Sequence, residues 1–240
     1  MLPTYEEREN IERLLPEVAT VLTGLSYEIV VVDDRSPDGT GDAVLRFRAQ
    51  GYPARLVSKE RKEGIGAALR VGYCESRGAV ILSMDADLSF KAADLLRLYA
   101  RIQQGADLVI GTRHSAASTY EAPTRAIRVK RFVSAAGNRV LCRLSGIPLT
   151  DFSGNFRAIR REVWRAIETT ENTNTLLFEM ILKAYVKGFK VAEVPVTFAD
   201  RRYGTSKLQL SREAPKFLRR FSHHLWHHRH DLRRRRQQPG

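Results

Sequence analysis

The stretch AVILSMDADLS at residues 79–89 decides the fold, because an apolar run leads directly into two carboxylates. Residues 79–84 have the composition of a buried strand, and Asp85 and Asp87 stand two residues apart at its carboxyl end. An unpaired charge is costly to bury, so these acids must be solvated or bound to a partner. Hard cations such as Mg²⁺ bind through one or two carboxylates together with substrate phosphates. The stretch therefore predicts either a solvated surface turn or a cation site.

Strand and helix patterns alternate along the first half of the chain with short connections between them. We expect strands at 27–32, 54–57, 79–84 and 107–111, and helices at 40–50, 64–76 and 92–103. This alternation predicts an α/β fold with a doubly wound, mostly parallel sheet and helices on both faces. Ligands bind such sheets at the carboxyl ends of the strands. The segments at those ends are Asp33-Asp34, Asp85-Ala86-Asp87 and Gly111-Thr112-Arg113.

The pattern is looser after Arg113. We expect a loop at 114–124, a basic amphipathic helix at 127–144, a strand at 156–159, a helix at 175–187, a strand at 190–198, a final helix at 211–230 and a disordered tail at 233–240. We divide the chain into a catalytic domain at 1–210 and a basic amphipathic helix with its tail at 211–240. Only Met1 and Leu2 precede the first loop, so we expect the first strand of the sheet to be truncated.

The chain has 240 residues and a formal net charge of +13, which is concentrated in two segments. Residues 127–143 carry five Lys or Arg and no acid, and residues 211–240 carry nine Lys or Arg and two acids. Such patches attract nucleic acid, anionic lipid or phosphorylated substrates. A nucleic-acid-binding protein would need stacking platforms or a recognition helix, and it would leave Asp85 and Asp87 unexplained. A dinucleotide-binding oxidoreductase is excluded because no GxGxxG motif follows the first visible strand.

Short polar segments between the expected elements carry most of the candidate chemistry. They are PTYEEREN (3–10), VDDRSPDGT (32–40), MDADLS (84–89), GTR (111–113), DFSGNFR (151–157), FE (178–179), EVPV (193–196) and DRRYGTSKL (200–208). In their order and spacing they resemble the inverting family 2 glycosyltransferases, which have the GT-A fold. Within that family they most resemble the dolichol-phosphate and polyprenol-phosphate mannose synthases. The resemblance runs from Pro3 to about Leu210.

The resemblance implies an enzyme that transfers mannose from GDP-mannose to a polyprenyl or dolichyl phosphate, with inversion and with Mg²⁺ or Mn²⁺. It implies cation ligands at Asp85, Asp87 and Ser89. It places nucleotide-sugar contacts at Pro3, Tyr5, Glu7, Val32, Asp34, Asp85 and Ala86. It places acceptor-phosphate contacts at Arg113, Lys130, Ser134, Arg201 and Lys207. Of these residues, we expect Asp87, Arg113 and Arg201 to act in catalysis.

These residue types suit the two substrates. Carboxylates such as Glu7 and Asp34 accept hydrogen bonds from a base or a ribose, and a cation at the acid pair would stabilise a leaving nucleoside diphosphate. A lipid phosphate is already an anion near pH 7, so the acceptor side needs cations rather than a strong base. The chain departs from the family at Phe90-Lys91, where His and Pro are common, and at Lys130, where Arg is common.

Several alternatives stay open. The donor could be another nucleotide sugar, such as UDP-glucose or UDP-GlcNAc, and the acceptor a glycan hydroxyl, although a hydroxyl would not need the cations of 201–207. Thr4 could cap a helix with Glu7 as its capping-box partner. The basic helix from Ile127 is either a core helix or a helix in the membrane interface.

For the final helix at 211–230 we favour contact with an anionic membrane surface. We therefore expect a peripheral protein on the cytoplasmic face of a membrane, and we expect it not to bind nucleic acid. A partner subunit that supplies a membrane anchor is left open.

Overall fold

The computed structural model describes residues 1–61, 63–120, 125–199 and 210–237, without the side chains of 125–131 and 210–214. The strands are β1 (Leu2–Thr4), β2 (Ile29–Asp33), β3 (Ala54–Ser58), β4 (Val80–Ser83), β5 (Leu108–Thr112), β6 (Thr119–Tyr120), β7 (Arg157–Arg160), β8 (Val191–Pro195) and β9 (Thr197–Phe198). The helices are α1 (Arg8–Val21), α2 (Thr40–Ala49), α3 (Ile65–Glu75), α4 (Asp94–Gln103), α5 (Arg125–Ser145), α6 (Arg161–Ile167), α7 (Thr175–Val186), α8 (Leu210–His227) and α9 (Arg229–Gln237).

The central sheet joins two sets of paired strands through the backbone of Met1. One set has the order β1-β2-β3 and the other the order β4-β7-β5-β8. The Met1 amino group donates a hydrogen bond to Leu82 O at 2.6 Å, and Met84 N donates to Met1 O at 3.3 Å, which places β1 beside β4. All pairs in these two sets are parallel except those of β7, which runs antiparallel to both β4 and β5. The strands β1, β2, β4 and β5 therefore end at the same edge.

Alternation along the strands divides the apolar core between the two faces of the sheet. On β5, Val109 packs into the cluster that contains α1, α2 and α4, whereas Leu108 and Ile110 pack into the cluster that contains α6 and α7. Ile29 and Val31 of β2 face the first of these clusters. Successive side chains of a strand point to opposite faces, so helices cover both faces of the sheet. The predicted doubly wound, mostly parallel α/β fold is confirmed.

The capping box that stood as an alternative at the start of the chain is not formed. Glu7 holds the cap position of α1, but its side chain makes no capping hydrogen bond. Arg8 N donates instead to Asp38 Oδ2 at 3.0 Å. Thr4 is the last residue of β1, and its hydroxyl donates to Val32 O at 3.2 Å and to Asp33 Oδ1 at 3.0 Å. The register of β1 against β2 therefore turns Thr4 away from the helix.

The predicted disordered tail is also wrong over residues 233–237, which belong to α9. This helix is highly polar, so its sequence carries little sign of an apolar face. Leu232 is buried in the cluster of α7, and Arg236 Nη2 donates to Ser145 O at 2.5 Å. Tertiary contacts of this kind, rather than helix propensity, supply most helical stability in proteins.

Two further differences concern short elements. The predicted loop at 114–124 contains β6, which pairs in parallel with β9. The predicted strand at 190–198 is divided into β8 and β9. Neither α1 nor α6 was predicted from periodicity. The division of the chain near residue 210 stays a prediction.

Candidate active site

The nucleotide-sugar contacts implied by the resemblance lie at the carboxyl ends of β1, β2 and β4. Pro3 and Val32 are buried and stand opposite each other in the parallel register of β1 and β2. Tyr5 and Glu7 follow β1 and are half-buried. Glu7 accepts a hydrogen bond from Asn10 Nδ2 at 2.5 Å, and its backbone N–H donates to Thr40 Oγ1 at 3.0 Å. These contacts hold the segment after β1 against the start of α2.

The two acids at the end of β2 have different partners. Asp33 accepts hydrogen bonds from the backbone N–H of Ser36 at 2.8 Å and from its hydroxyl at 2.5 Å, so it stabilises the turn. Asp34 pairs with Lys59 Nζ at 2.7 Å, and their side chains are only 5% and 7% exposed. Asp34 was expected in the site from the sequence, whereas its partner Lys59 was not. Its position directly after β3, at the next strand end, is the signal that could have found it.

The acid pair, Asp85 and Asp87, lies in a tightly turned loop after β4. Asp87 is buried, and its Oδ1 accepts a hydrogen bond from the Ser89 N–H at 3.1 Å. Between them, Leu88 has a φ of 59°. Left-handed backbone of this kind costs on the order of 1–3 kcal/mol for a residue other than glycine, and it concentrates at functional sites. Ser89 is buried too, and its carbonyl accepts from Ala199 N at 2.9 Å.

The acid pair suits a hard cation that also binds phosphate. Over the described residues, no group of three or more His, Cys, Asp or Glu side chains is placed to hold a metal ion. Two carboxylates and a hydroxyl do not fit a structural zinc site, which needs four nitrogen, sulfur or oxygen ligands. They fit Mg²⁺ or Mn²⁺, which take oxygen ligands and complete their shell with water and substrate phosphates.

Arg113, at the end of β5, is held in place by Asp151. Arg113 Nε donates to Asp151 Oδ2 at 2.7 Å and Nη2 donates to Oδ1 at 3.0 Å, so the pair is bidentate. Nη2 also donates to Ser153 Oγ at 2.8 Å. Burial favours the neutral acid, but the charge and hydrogen bonds of Arg113 hold the pKa of Asp151 well below its ordinary value. The cation predicted for the acceptor is therefore rigidly oriented inside the protein.

Ser134 joins this cluster from α5. Its hydroxyl lies 3.2 Å from His114 Nε2, which in turn lies 3.8 Å from Asp151 Oδ2. Asn138, one turn further along α5, donates to Ser134 O at 3.0 Å and accepts from Phe152 N at 2.8 Å. Arg113 contacts Asp151 directly and Ser134 approaches it through His114, while their shared assignment to the acceptor stays a prediction.

Three of the predicted acceptor contacts lie outside what the structure describes. They are the side chain of Lys130, and Arg201 and Lys207. Their assignments stay predictions.

The acceptor cluster and the acid pair are connected through the segment 151–155. Ser153 contacts Arg113, and Asn155 Nδ2 donates to Asp85 Oδ1 at 3.0 Å. Burial would lower the pKa of Arg113, but Asp151 and, more weakly, Asp85 raise it above its ordinary value. Asp85 follows β4 and Arg113 follows β5, and both strands run antiparallel to β7, so the two clusters lie at the same edge of the sheet.

Two glutamates, from the segments FE (178–179) and EVPV (193–196), accept hydrogen bonds from backbone N–H groups of loop residues. Glu193 of β8 accepts hydrogen bonds from Thr150 N at 2.6 Å and Asp151 N at 2.9 Å, which fixes the start of the 151–155 segment. Burial raises the pKa of Glu193 despite these bonds. Glu179 of α7 accepts from Thr170 N at 3.0 Å and pairs with Lys183 at 2.8 Å. No role was predicted for these two glutamates from the sequence, and their contacts in the structure stabilise the fold.

A doubly wound, mostly parallel sheet with acids and the Arg113–Asp151 pair at its strand ends defines an α/β protein whose candidate ligand site lies at that edge. Comparison with known proteins agrees. A family model described as Glycosyl transferase family 2 matches residues 1–167. The chain therefore belongs to glycosyl transferase family 2.

Two curated relatives are similar over most of the chain. A dolichol-phosphate mannosyltransferase from Pyrococcus furiosus is 34% identical over 212 residues, covering 87% of this chain. The chain spans 58% of the length of that relative. A polyprenol monophosphomannose synthase from Mycolicibacterium smegmatis is 36% identical over 217 residues, covering 87% of this chain and 79% of the relative.

The fold is also found in solved structures. Glucosyl-3-phosphoglycerate synthase from Mycobacterium tuberculosis, in complex with Mg²⁺ and uridine diphosphate, matches with a TM-score of 0.67 and 21% identity over 92% of this chain and 77% of that chain. A complex of the same enzyme with Mn²⁺, UDP-glucose and phosphoglyceric acid matches with the same TM-score. At this identity the similarity extends to the fold, and the predicted GT-A fold is confirmed. In the ranges that the structure covers, no helix has the length and apolar content needed to span a membrane.

Proposed function

We propose that this chain transfers mannose from GDP-mannose to a polyprenyl or dolichyl phosphate, with inversion at the sugar. The observation that carries the proposal is the pairing of two different clusters across the 151–155 segment. One cluster is acidic, with Asp85 and Asp87, and the other presents Arg113 and Ser134. The names of the two curated relatives, both of them mannosyl transferases or synthases acting with polyprenol or dolichol phosphate, support the same activity.

On the donor side, the strand ends hold the nucleotide sugar. Asp34 offers a carboxylate to the base or ribose, and the ion pair with Lys59 at 2.7 Å orients that carboxylate. Asp85 and Asp87, with Ser89 as a neutral third group, would hold Mg²⁺ or Mn²⁺. When bound, such a cation neutralises charge on the leaving nucleoside diphosphate. The left-handed turn at Leu88 sets the direction of the acid pair.

On the acceptor side, Arg113 and Ser134 contact the phosphate. Because Asp151 holds the Nε–Nη2 edge of the Arg113 guanidinium, Arg113 loses little side-chain freedom when it binds an anion. The phosphate oxygen is the nucleophile and is already ionised near pH 7, so the site needs orientation rather than a strong base. Lys130, Arg201 and Lys207 are expected to complete the contacts.

The surface of α5 supports a site at the edge of a membrane. Ser134 faces the site, while the neighbouring Phe132 is 75% exposed and Val133 is 54% exposed. Val140 and Leu144 continue the exposed apolar stripe, and the exposed Arg139 and Arg143 lie beside it; together with Phe132 and Val133 we call these residues the α5 stripe. Apolar and cationic side chains on one exposed helix are typical of contact with an anionic membrane interface.

The α5 stripe would bring the lipid chain next to the bound phosphate. Leu218 and Trp226 of α8 are exposed as well and would add to the same contact. We infer a peripheral protein on the cytoplasmic face of a membrane. A membrane-anchor subunit is an open addition to this proposal.

The test is transfer by the purified protein with Mn²⁺ and dolichyl phosphate, comparing GDP-mannose, UDP-glucose and UDP-GlcNAc as donors. We expect mannosyl-phosphate lipid as the main product and at least about 100-fold slower transfer from the UDP sugars, since a nucleobase pocket that pairs its polar groups rejects a mismatched base strongly. Product only from a UDP sugar would overturn the donor assignment. Transfer to a glycan hydroxyl but not to the lipid phosphate would overturn the acceptor assignment.

A further inference from the structure

Asn155 lies two residues before β7 and has an unusual environment beside the acid pair. It is 2% exposed, and its Nδ2 donates to Asp85 Oδ1 at 3.0 Å. Its own backbone carbonyl accepts from Ser83 Oγ at 3.3 Å, at the end of β4. Within the described part of the chain, its side-chain carbonyl Oδ1 is buried and accepts no hydrogen bond. Turning the amide over would set this oxygen against the Asp85 carboxylate, so the observed orientation is the favourable one.

Packing alone does not explain an amide side chain at position 155. A buried carbonyl without a donor loses its hydrogen bonds to water and gains none in return. An apolar side chain of the same size would avoid that cost. The contact that Asn155 gains and a leucine would lose is the hydrogen bond to Asp85, and bonds to a charged acceptor are the stronger kind. The amide is therefore explained by Asp85.

The backbone beside Asn155 is fixed from below by Arg157. This side chain is fully buried, and its Nε and Nη2 donate to Gly154 O at 3.1 Å and 2.5 Å. Its Nη1 donates to Leu177 O at 2.9 Å, which ties the turn to α7. Burial lowers the pKa of Arg157 below its ordinary value. Because two N–H groups of this buried guanidinium donate to the same carbonyl, the turn has little freedom. The Asn155 amide therefore contacts Asp85 in one orientation.

We propose that Asn155 is a positioning residue for the cation site: its amide holds one oxygen of Asp85 and thereby orients that carboxylate towards the bound cation. Hydrogen-bonded partners of metal-binding carboxylates commonly have this role. The inference rests on the cation site of the proposed function. It is independent of the sugar, of the nucleobase and of the acceptor.

The test is the affinity for Mn²⁺ alone, measured by electron paramagnetic resonance or calorimetry on the whole protein without donor or acceptor. For Asn155→Leu we expect affinity to fall by about 10–100-fold, the usual effect of removing such a partner. We also expect its Tm to stay close to that of the wild type, because the substitution removes the unpaired carbonyl together with the hydrogen bond. If Asn155→Leu does not fold, Asn155→Ala replaces it in the same measurement.

The matched control is Ser153→Ala in the same turn, which removes the 2.8 Å contact to Arg113 and leaves the contact to Asp85 intact. Its Mn²⁺ affinity should stay within about twofold of the wild type, because Ser153 does not contact the acid pair. Equal Mn²⁺ affinity in a folded Asn155 variant and in the wild type would overturn the positioning role while leaving the proposed function standing. Failure of the wild type itself to bind Mn²⁺ would overturn the cation site, and with it the proposed function.

Discussion

The donor side and the acceptor side of this site differ in the groups that orient their charged side chains. On the donor side, the carboxylates of Asp85 and Asp87 have nearby hydrogen-bond donors from Asn155 and Ser89, which are neutral groups. On the acceptor side, Arg113 has a buried carboxylate, Asp151, in bidentate contact. The two neutral donors orient the carboxylates without cancelling their charge. On the acceptor side, Asp151 partly neutralises the charge of Arg113 and fixes its orientation.

Because of this difference, we expect the two sides to respond differently to mutation. Removing a donor-side acid should lower turnover, because the acid pair is proposed to hold the cation that stabilises the leaving diphosphate. Removing the acceptor-side acid should change stability, because it leaves Arg113 inside the protein without its ionic partner.

The largest expected effect is on turnover in Asp87→Ala. Loss of a cation that stabilises the leaving diphosphate is worth several kcal/mol, so transfer should fall about 10³-fold or more. Initial rates of lipid-linked mannose formation with saturating Mn²⁺ would measure it. The control is Asp42→Ala on the exposed surface of α2, which should keep wild-type turnover. Near wild-type transfer by Asp87→Ala would break the comparison on the donor side.

The next effect is on the stability of Asp151→Asn. Breaking one partner of a buried pair costs about 3–5 kcal/mol, and we expect about 2 kcal/mol because the Arg113 side chain is 18% exposed and can reach water. Urea unfolding would give the value. Glu12→Gln is the matched control, since Glu12 pairs with Arg8 and Arg46 at the surface and should contribute less than about 1 kcal/mol. Equal losses in the two variants would show that burial does not strengthen the Arg113 pair.

The same pair predicts a pH dependence of stability. The pKa of Asp151 is lower in the folded protein than its ordinary value, so its contribution is complete above the unfolded pKa of about 3.9 and is lost as the pH falls towards the folded pKa. The stability difference between the wild type and Asp151→Asn should therefore be constant from about pH 5 to 8 and should shrink below about pH 4. A difference that grows as the pH falls would contradict the direction of the pKa shift.

The smallest effect concerns the α5 stripe. Phe132→Ser removes an exposed apolar side chain and should weaken binding to anionic vesicles about fivefold, which is about 1 kcal/mol of partly buried apolar surface. Sedimentation with vesicles that contain phosphatidylserine would measure it. Leu45→Ser, which removes an exposed apolar residue of α2, is the control and should bind unchanged. The same loss in both variants would remove the α5 stripe from the proposal.

The position of the proposed donor residues at the strand ends could be predicted, because each of them follows directly on a local pattern. Asp34 and Asp85 stand immediately after apolar strands, and the parallel order brings strand ends together without further information. The acceptor side was harder. Arg113 was expected as a cation for phosphate, but its partner Asp151 is 38 residues away, and nothing in the spacing specifies that contact. His114 and Asn138 were missed for the same reason.

The fold shows the same limit. Most strands and helices were predicted from periodicity, whereas α1, α6 and α9 were not. The stability of α9 comes from Leu232 in a distant cluster and from Arg236 at the end of α5. The direction of β7, antiparallel between β4 and β5, also depends on distant pairing rather than on its own residues.

The central claim is that the acid pair binds the donor through a cation while the Arg113 cluster binds the acceptor. Calorimetry of GDP with Mn²⁺ tests it most directly on Asp87→Ala and Ser134→Ala. We predict that Asp87→Ala loses the Mn²⁺-dependent part of GDP binding, whereas Ser134→Ala binds GDP like the wild type and raises only the KM for dolichyl phosphate, by about tenfold for one hydrogen bond to an anion. Equal weakening of GDP binding by the two substitutions would contradict the account.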